Sequence, residues 1–141
     1  MGKLDGHCLC GSISYSCEAE PLFTAICHCK NCQRQTGTSF SIVVGVPDDA
    51  LAIEGDTLGT FATKGDDHPD EDSYRIFCNA CGSPILTRNP LMPGVAIIKA
   101  GTLNDSTWLE PQMEVFGESA QTWVEEHESR PRMPAGPPPP A

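Results

Sequence analysis

Basic residues are scarce in this chain. Nine lysines and arginines stand against nineteen aspartates and glutamates, for a formal charge of −10, and the nine are scattered. Nucleic-acid binding depends on clustered Lys and Arg to neutralise phosphates, so no nucleic-acid partner is expected. The acidity reads as a solubility feature. Long apolar runs are also missing, and none approaches the roughly 20 residues that a membrane helix needs. The opening Met1-Gly2-Lys3-Leu4-Asp5 lacks the apolar core of a signal peptide. Gly6 stands where a myristoylation motif beginning at Gly2 wants Ser or Thr. No repeat of about 20 to 50 residues is visible. The expected location is the cytoplasm, where eight cysteines point to metal binding or catalysis rather than to disulfides.

A length of 141 residues predicts one domain, large enough for a core of its own. We place a zinc-binding domain at residues 1–128 and a proline-rich tail at 129–141. Proline lacks the N–H that strands and helices need, so Pro131–Ala141 is expected to be disordered or polyproline II. The rest reads as mainly β. Ile13, Tyr15 and Cys17 alternate with Ser14 and Ser16 at period two. Ser41–Val46, Leu51–Glu54, Leu58–Thr63, Ser73–Phe77 and Val95–Ala100 are further strands, separated by Gly and Asp clusters. Two short helices are predicted, Asn31–Gln35 closed by Gly37 and Ser119–His127 capped by Ser119. Gly65–Asp72 (GDDHPDED) reads as an exposed acidic loop with a solvated His68.

What the chain has in abundance is cysteine at short spacing. Cys8-Leu9-Cys10-Gly11, Cys27-His28-Cys29-Lys30-Asn31-Cys32 and Cys78-Asn79-Ala80-Cys81-Gly82 each let sulfurs converge on one metal. Glycine after Cys10 and Cys81 suits a sharp turn with positive φ that aims N–H groups at sulfur. Two clusters of two make a four-sulfur site, and the cluster of three makes another. Four protein sulfurs close a tetrahedral zinc, whereas three leave a position for water or substrate. On that division Cys8, Cys10, Cys78 and Cys81 hold a structural zinc and tie together segments 67 residues apart, Gly11–Phe77. Cys27, Cys29 and Cys32 hold a second zinc, where chemistry can occur. Spacing alone equally permits Cys8, Cys10, Cys27 and Cys29 as one site. Cys17 reads as a small buried hydrophobe, and His28, between two ligands, as a packing or hydrogen-bonding residue.

Gly6-His7-Cys8-Leu9-Cys10-Gly11 with Ile13 and Tyr15, Cys27-His28-Cys29 with Cys32 and Thr36-Gly37, Cys78 with Cys81-Gly82-Ser83-Pro84, and Ala100–Asp105 carry a resemblance. Pro111 and Trp123 extend it. The chain resembles the glutathione-dependent formaldehyde-activating enzymes, a family that also includes a centromere protein. The resemblance implies stacked, coiled antiparallel sheets of β-tent type, clipped by two Zn²⁺. It implies a structural zinc on Cys8, Cys10, Cys78 and Cys81 and a catalytic one on Cys27, Cys29 and Cys32. It implies a carbon–sulfur lyase whose partners are a small thiol such as glutathione and a small aldehyde, joined as S-hydroxymethylglutathione. Glutathione is anionic, and Lys30 and Arg34 are the cations nearest the second cluster in sequence. The chain departs from the family at Glu114, where histidine is frequent before the aromatic of the late strand. A non-catalytic zinc-stabilised binding module and a thiol redox protein are the competing readings.

Overall fold

The computed structural model describes residues 4–65 and 67–136. Ten strands form two sheets. The smaller sheet contains β1 (Leu4–His7), β2 (Ser14–Cys17) and β5 (Leu51–Glu54) in the order β1-β2-β5. The larger contains β3 (Phe23–Cys27), β4 (Ser41–Pro47), β6 (Leu58–Gly65), β7 (His68–Cys78), β8 (Pro84–Arg88), β9 (Val95–Lys99) and β10 (Met113–Val115). Its order is β10-β3-β4-β9-β8-β7-β6. Every pairing is antiparallel except β10 with β3, which is parallel. The mainly β architecture therefore matches the sequence reading. β1, β3, β8 and β10 were not predicted; each is five residues or shorter, too short for a period to stand out.

One main core lies between the sheets. Leu4, Ile13, Tyr15 and Cys17 pack with Val44, Val46, Ile85, Leu86 and Ile98. Alternation explains the smaller sheet, where Leu4, Tyr15 and Cys17 point inward and their neighbours do not. β4 is flanked on both sides and is buried at most positions, which accounts for its β-branched run. A second, smaller cluster joins Cys27, Cys32 and Val115 to Cys29, Met113, Phe116 and Met133.

Three local expectations need correction. The predicted helix Ser119–His127 does not form. A 3-10 turn occupies Gly117–Ser119, and irregular turns follow. The Ser119 carbonyl, which would accept the first intrahelical bond, is taken from outside by Gln33 Nε2 at 3.0 Å, while Arg132 holds the Val124 and Glu125 carbonyls at 3.3 and 3.2 Å in the irregular turns. Gly65–Asp72 is exposed at Asp67, Pro69, Asp70 and Glu71 as expected, but it is largely strand rather than loop and its His68 is not solvated. β6 runs to Gly65 and β7 begins at His68, which is buried and bonded to Ser73 Oγ at 3.1 Å (Asp66 lies outside the described residues). Cross-strand pairing beyond the hairpin overrides the local acidic composition.

The third correction concerns the tail. Pro131–Gly136 does not lead away as a free polyproline segment. Glu114 N donates to Pro131 O at 2.8 Å and Met133 N donates back to Glu114 O at 2.8 Å. Phe116 N donates to Ala135 O at 2.8 Å. Here proline supplies carbonyls, and the one N–H needed comes from Met133. The expectation for 137–141 lies outside the described residues.

Candidate metal centres

The cysteine sulfurs fall into two groups. Those of Cys8, Cys10, Cys78 and Cys81 all lie within 4.8 Å of one another, as do those of Cys27, Cys29 and Cys32. The alternative grouping of Cys8 and Cys10 with Cys27 and Cys29 does not occur. Cys17 joins neither; it is fully buried in the main core, with its thiol 3.8 Å from Ala19 O. All eight cysteines are free thiols.

The four-sulfur group sits where two tight turns meet. Cys8 N donates to Ile13 O and Gly11 N to Cys8 O; in the second turn Cys78 N donates to Ser83 O and Gly82 N to Cys78 O. Gly11 and Gly82 have φ of 81° and 82°, so the glycines read from sequence occupy the left-handed region that other residues avoid. The fit to zinc can be tested on the sulfurs. Four sulfurs about 2.3 Å from a zinc form a tetrahedron with edges of ~3.8 Å. Cys8 Sγ lies 3.7 Å from Cys10 Sγ, which lies 3.8 Å from Cys78 Sγ.

Neutral donors surround these sulfurs. Ser12 Oγ lies 3.0 Å from Cys10 Sγ and 3.4 Å from Cys78 Sγ, and Thr57 Oγ1 lies 3.3 Å from Cys78 Sγ. Ile13 N donates to Cys8 Sγ at 3.3 Å. Hydrogen bonds to a thiolate favour the charged form. The Ser12 and Thr57 hydroxyls therefore lower the Cys78 thiol to about 5, and the Ser83 hydroxyl and backbone lower Cys81 to about 7. Metal ligation needs that same thiolate form.

The three-sulfur group is built differently. β3 ends at Cys27, and α1 (Lys30–Thr36) begins directly after Cys29, whose sulfur caps the helix by accepting from Cys32 N at 3.3 Å. Gly37 closes the helix in the left-handed conformation. The predicted helix thus forms, one residue longer at each end. Cys27 and Cys32 are buried and Cys29 is half-buried. Hydrogen bonds with Cys29 and Cys32, reinforced by burial, raise the Cys27 thiol. Cys32 is held well below its ordinary value by hydrogen bonds from Cys27 and Cys29, with Lys99 and Arg75 adding to the effect against burial.

His28 does not join the cluster. Its buried ring donates from Nε2 to Glu114 Oε1 at 2.7 Å, and its edge meets Phe40 with ring centroids 5.7 Å apart. Glu114 also accepts from Arg130 Nε at 2.9 Å and Arg132 Nε at 2.7 Å. Burial opposes its charge, but His28, Arg132 and Arg130 outweigh burial and lower its carboxyl to about 2. The residue that departs from the family pattern thus anchors the C-terminal segment to the loop between Cys27 and Cys29.

Lys30 and Arg34, the cations nominated by sequence, lie exposed on α1. Sequence reading missed two others. Arg75 Nη1 reaches Cys32 Sγ at 3.6 Å and Lys99 Nζ reaches it at 3.7 Å. Both come from distant strands and are buried. A usable signal existed for Lys99, the lone charge in Val95-Ala-Ile-Ile-Lys99; Arg75 lies in a strand rich in acidic residues, His68–Cys78, and had none. A concavity of about 680 Å³ is lined by Leu22, Phe23, Trp108, Pro111, His127 and Arg130 among others. It contains none of the cysteines, so donor chemistry rather than cavity size marks the site.

Among the described residues no helix is long and apolar enough to cross a membrane. A search of curated proteins found no match. A crystal structure of a Rhodobacter sphaeroides protein is similar, with a TM-score of 0.56 and 20% identity over 76% of this chain and 91% of that one; this likeness supports the fold alone. The model of the glutathione-dependent formaldehyde-activating enzyme family matches residues 3–119, a span that contains all seven clustered cysteines, and the chain belongs to that family.

Proposed function

We propose that this chain binds zinc at both cysteine clusters and works as a carbon–sulfur lyase at Cys27, Cys29 and Cys32, joining a small thiol such as glutathione to a small aldehyde such as formaldehyde. The observation that carries the reading is the unequal ligand count: four sulfurs converge at one cluster and three at the other, with no fourth His, Cys, Asp or Glu among the described residues. Family membership supports the substrate class. A zinc on three protein thiolates keeps a tetrahedral position free and promotes loss of a bound thiol's proton.

The balance of the reaction is simple. The thiol sulfur forms a bond to the carbonyl carbon, the C=O double bond becomes a single bond, and the proton lost by sulfur ends on oxygen as the hydroxymethyl group. Reversal breaks the same carbon–sulfur bond. The chain's own residues set the stage. Cys27 and Cys29 are fixed on either side of His28, whose ring is held by Glu114, and Cys32 is fixed by the first turn of α1. Lys30 and Arg34 are the exposed cations available to the carboxylates of glutathione. A reducing cytoplasmic location suits such thiols.

The non-catalytic module keeps one supporting observation, a concavity of about 680 Å³ whose lining includes none of the three cysteines. The test is calorimetry of glutathione binding to zinc-loaded protein, followed by NMR of adduct formation after formaldehyde is added. Binding with faster adduct formation is the expected result. Binding without acceleration removes the lyase assignment, and absence of binding favours the module.

A further inference from the structure

Arg75 and Lys99 present an unusual charge problem. Both are buried, at 6% and 5% exposure. Arg75 comes from β7 and Lys99 from β9, yet both point at Cys32 Sγ, at 3.6 and 3.7 Å. Their remaining partners are neutral hydroxyls, Thr63 Oγ1 at 3.4 Å from Arg75 Nε and Ser41 Oγ at 3.1 Å from Lys99 Nζ. Among the described residues neither has a carboxylate partner. The other partly buried arginines beside the site, Arg130 and Arg132, both have Glu114.

A buried charge is costly unless an opposite charge compensates it. Among the described residues the only negative charge paired with Arg75 and Lys99 is that of the cysteine sulfurs and whatever those sulfurs hold. Three thiolates with one zinc dication sum to −1, and the two cations turn this to +1. A neutral fourth ligand, such as water, would leave that excess positive charge in place. A single monoanion cancels it. The four-sulfur cluster has no such arrangement: hydroxyls and backbone N–H groups serve its sulfurs, and Cys10 is exposed to water.

Building on the reading of Cys27, Cys29 and Cys32 as an open zinc site, we propose that Arg75 and Lys99 are specificity residues that make its fourth position select an anionic ligand of the thiolate class over a neutral one. Their role differs from that of Lys30 and Arg34. The exposed pair can meet remote carboxylates of a substrate, whereas the buried pair acts on the charge of the donor atom. The pair also answers how a chain of formal charge −10 accommodates one more anion: the opposing field is local, and a low-dielectric surround makes it strong.

The experiment uses cobalt-substituted, fully metal-loaded protein titrated with 2-mercaptoethanol, which binds as a thiolate, and with neutral imidazole, each followed by visible absorption. Arg75→Met and Lys99→Met are each expected to weaken 2-mercaptoethanol by at least about tenfold, the scale of one nearby charge in a partly shielded site. Imidazole should change by less than about twofold. Arg75→Lys and Lys99→Arg, which keep the charge, should recover most of the loss. If a Met variant does not fold, the corresponding Gln variant replaces it and is read the same way. Equal weakening of both probes would reduce the two residues to a structural role, and an unchanged thiol affinity would overturn the proposal outright. Adduct formation with glutathione and formaldehyde is measured on the same proteins. Acceleration by the wild type with unaltered selectivity in the variants rejects the charge assignment and keeps the enzyme; altered selectivity without acceleration does the reverse.

Discussion

The two cysteine clusters use the same donor atom for opposite ends. At Cys8, Cys10, Cys78 and Cys81 the sulfurs lie at the meeting of two glycine-closed turns, bonded to hydroxyls and open to water at Cys10. At Cys27, Cys29 and Cys32 two of three sulfurs are buried, and the groups around them are cations or are tied to cations. Burial alone does not separate them, because Cys8 and Cys78 are fully buried and are served by neutral donors. Charge does: buried cations stand against Cys32 and none against the clip's sulfurs among the described residues. The first cluster reads as a clip and the second as a site, and the difference lies in their surroundings as much as in the count of four against three.

Breaking the comparison should be easiest at the clip. Cys78→Ser is expected to abolish cooperative folding, because zinc at a closed site supplies on the order of 10 kcal/mol, comparable with a typical domain's entire stability of roughly 5–15 kcal/mol. Cys27→Ser should retain the fold and lose only the second metal. Circular dichroism melts with metal analysis check both. Equal unfolding by the two substitutions would erase the distinction.

Next in size is Glu114. Glu114→Ala leaves His28, Arg130 and Arg132 without their shared acceptor, and breaking a buried ionic network costs roughly 3–5 kcal/mol. Urea denaturation should show that loss. Asp48→Ala, which removes the half-exposed Arg88–Asp48 pair at 2.9 Å, is the control and should cost no more than about 1 kcal/mol.

Acid sharpens the comparison. Protons compete with metal for thiolates. A thiol with a lowered pKa keeps its anionic form further down the pH scale, so a clip with Cys78 at about 5 and Cys81 at about 7 should retain its metal to lower pH. The clip has one raised thiol, Cys10, whereas the other cluster has two, Cys27 and Cys29, against one lowered, Cys32, and should release first. A zinc-sensitive dye should therefore report two steps as pH falls. The smallest effect belongs to Ser12→Ala, which removes the hydroxyl beside Cys10 and Cys78 and should move the later step upward by about half a pH unit.

The clusters themselves were legible because their signal is local: cysteines two or three apart, with glycine directly after Cys10 and Cys81. Strands with several alternating or β-branched residues were legible for the same reason, as at Leu51–Glu54 and Val95–Lys99. What escaped was non-local. Arg75 and Lys99 are 43 and 67 positions from Cys32, and only the order β9-β8-β7 within one sheet brings them together. Glu114 looked like a missing histidine, but its function depends on Arg130 and Arg132 returning alongside β10. The predicted second helix failed where Gln33 captures the Ser119 carbonyl that its first turn needs, a competition no local propensity contains.

The most direct measurement is cadmium-113 NMR of protein loaded with cadmium at both clusters, recorded before and after adding a small thiol. The expected spectrum has two resonances. One, from the four-sulfur clip, stays in place; the other moves on thiol addition and is absent in Cys27→Ser. A single resonance, or two that both ignore the thiol, would contradict the division into a closed clip and an open site.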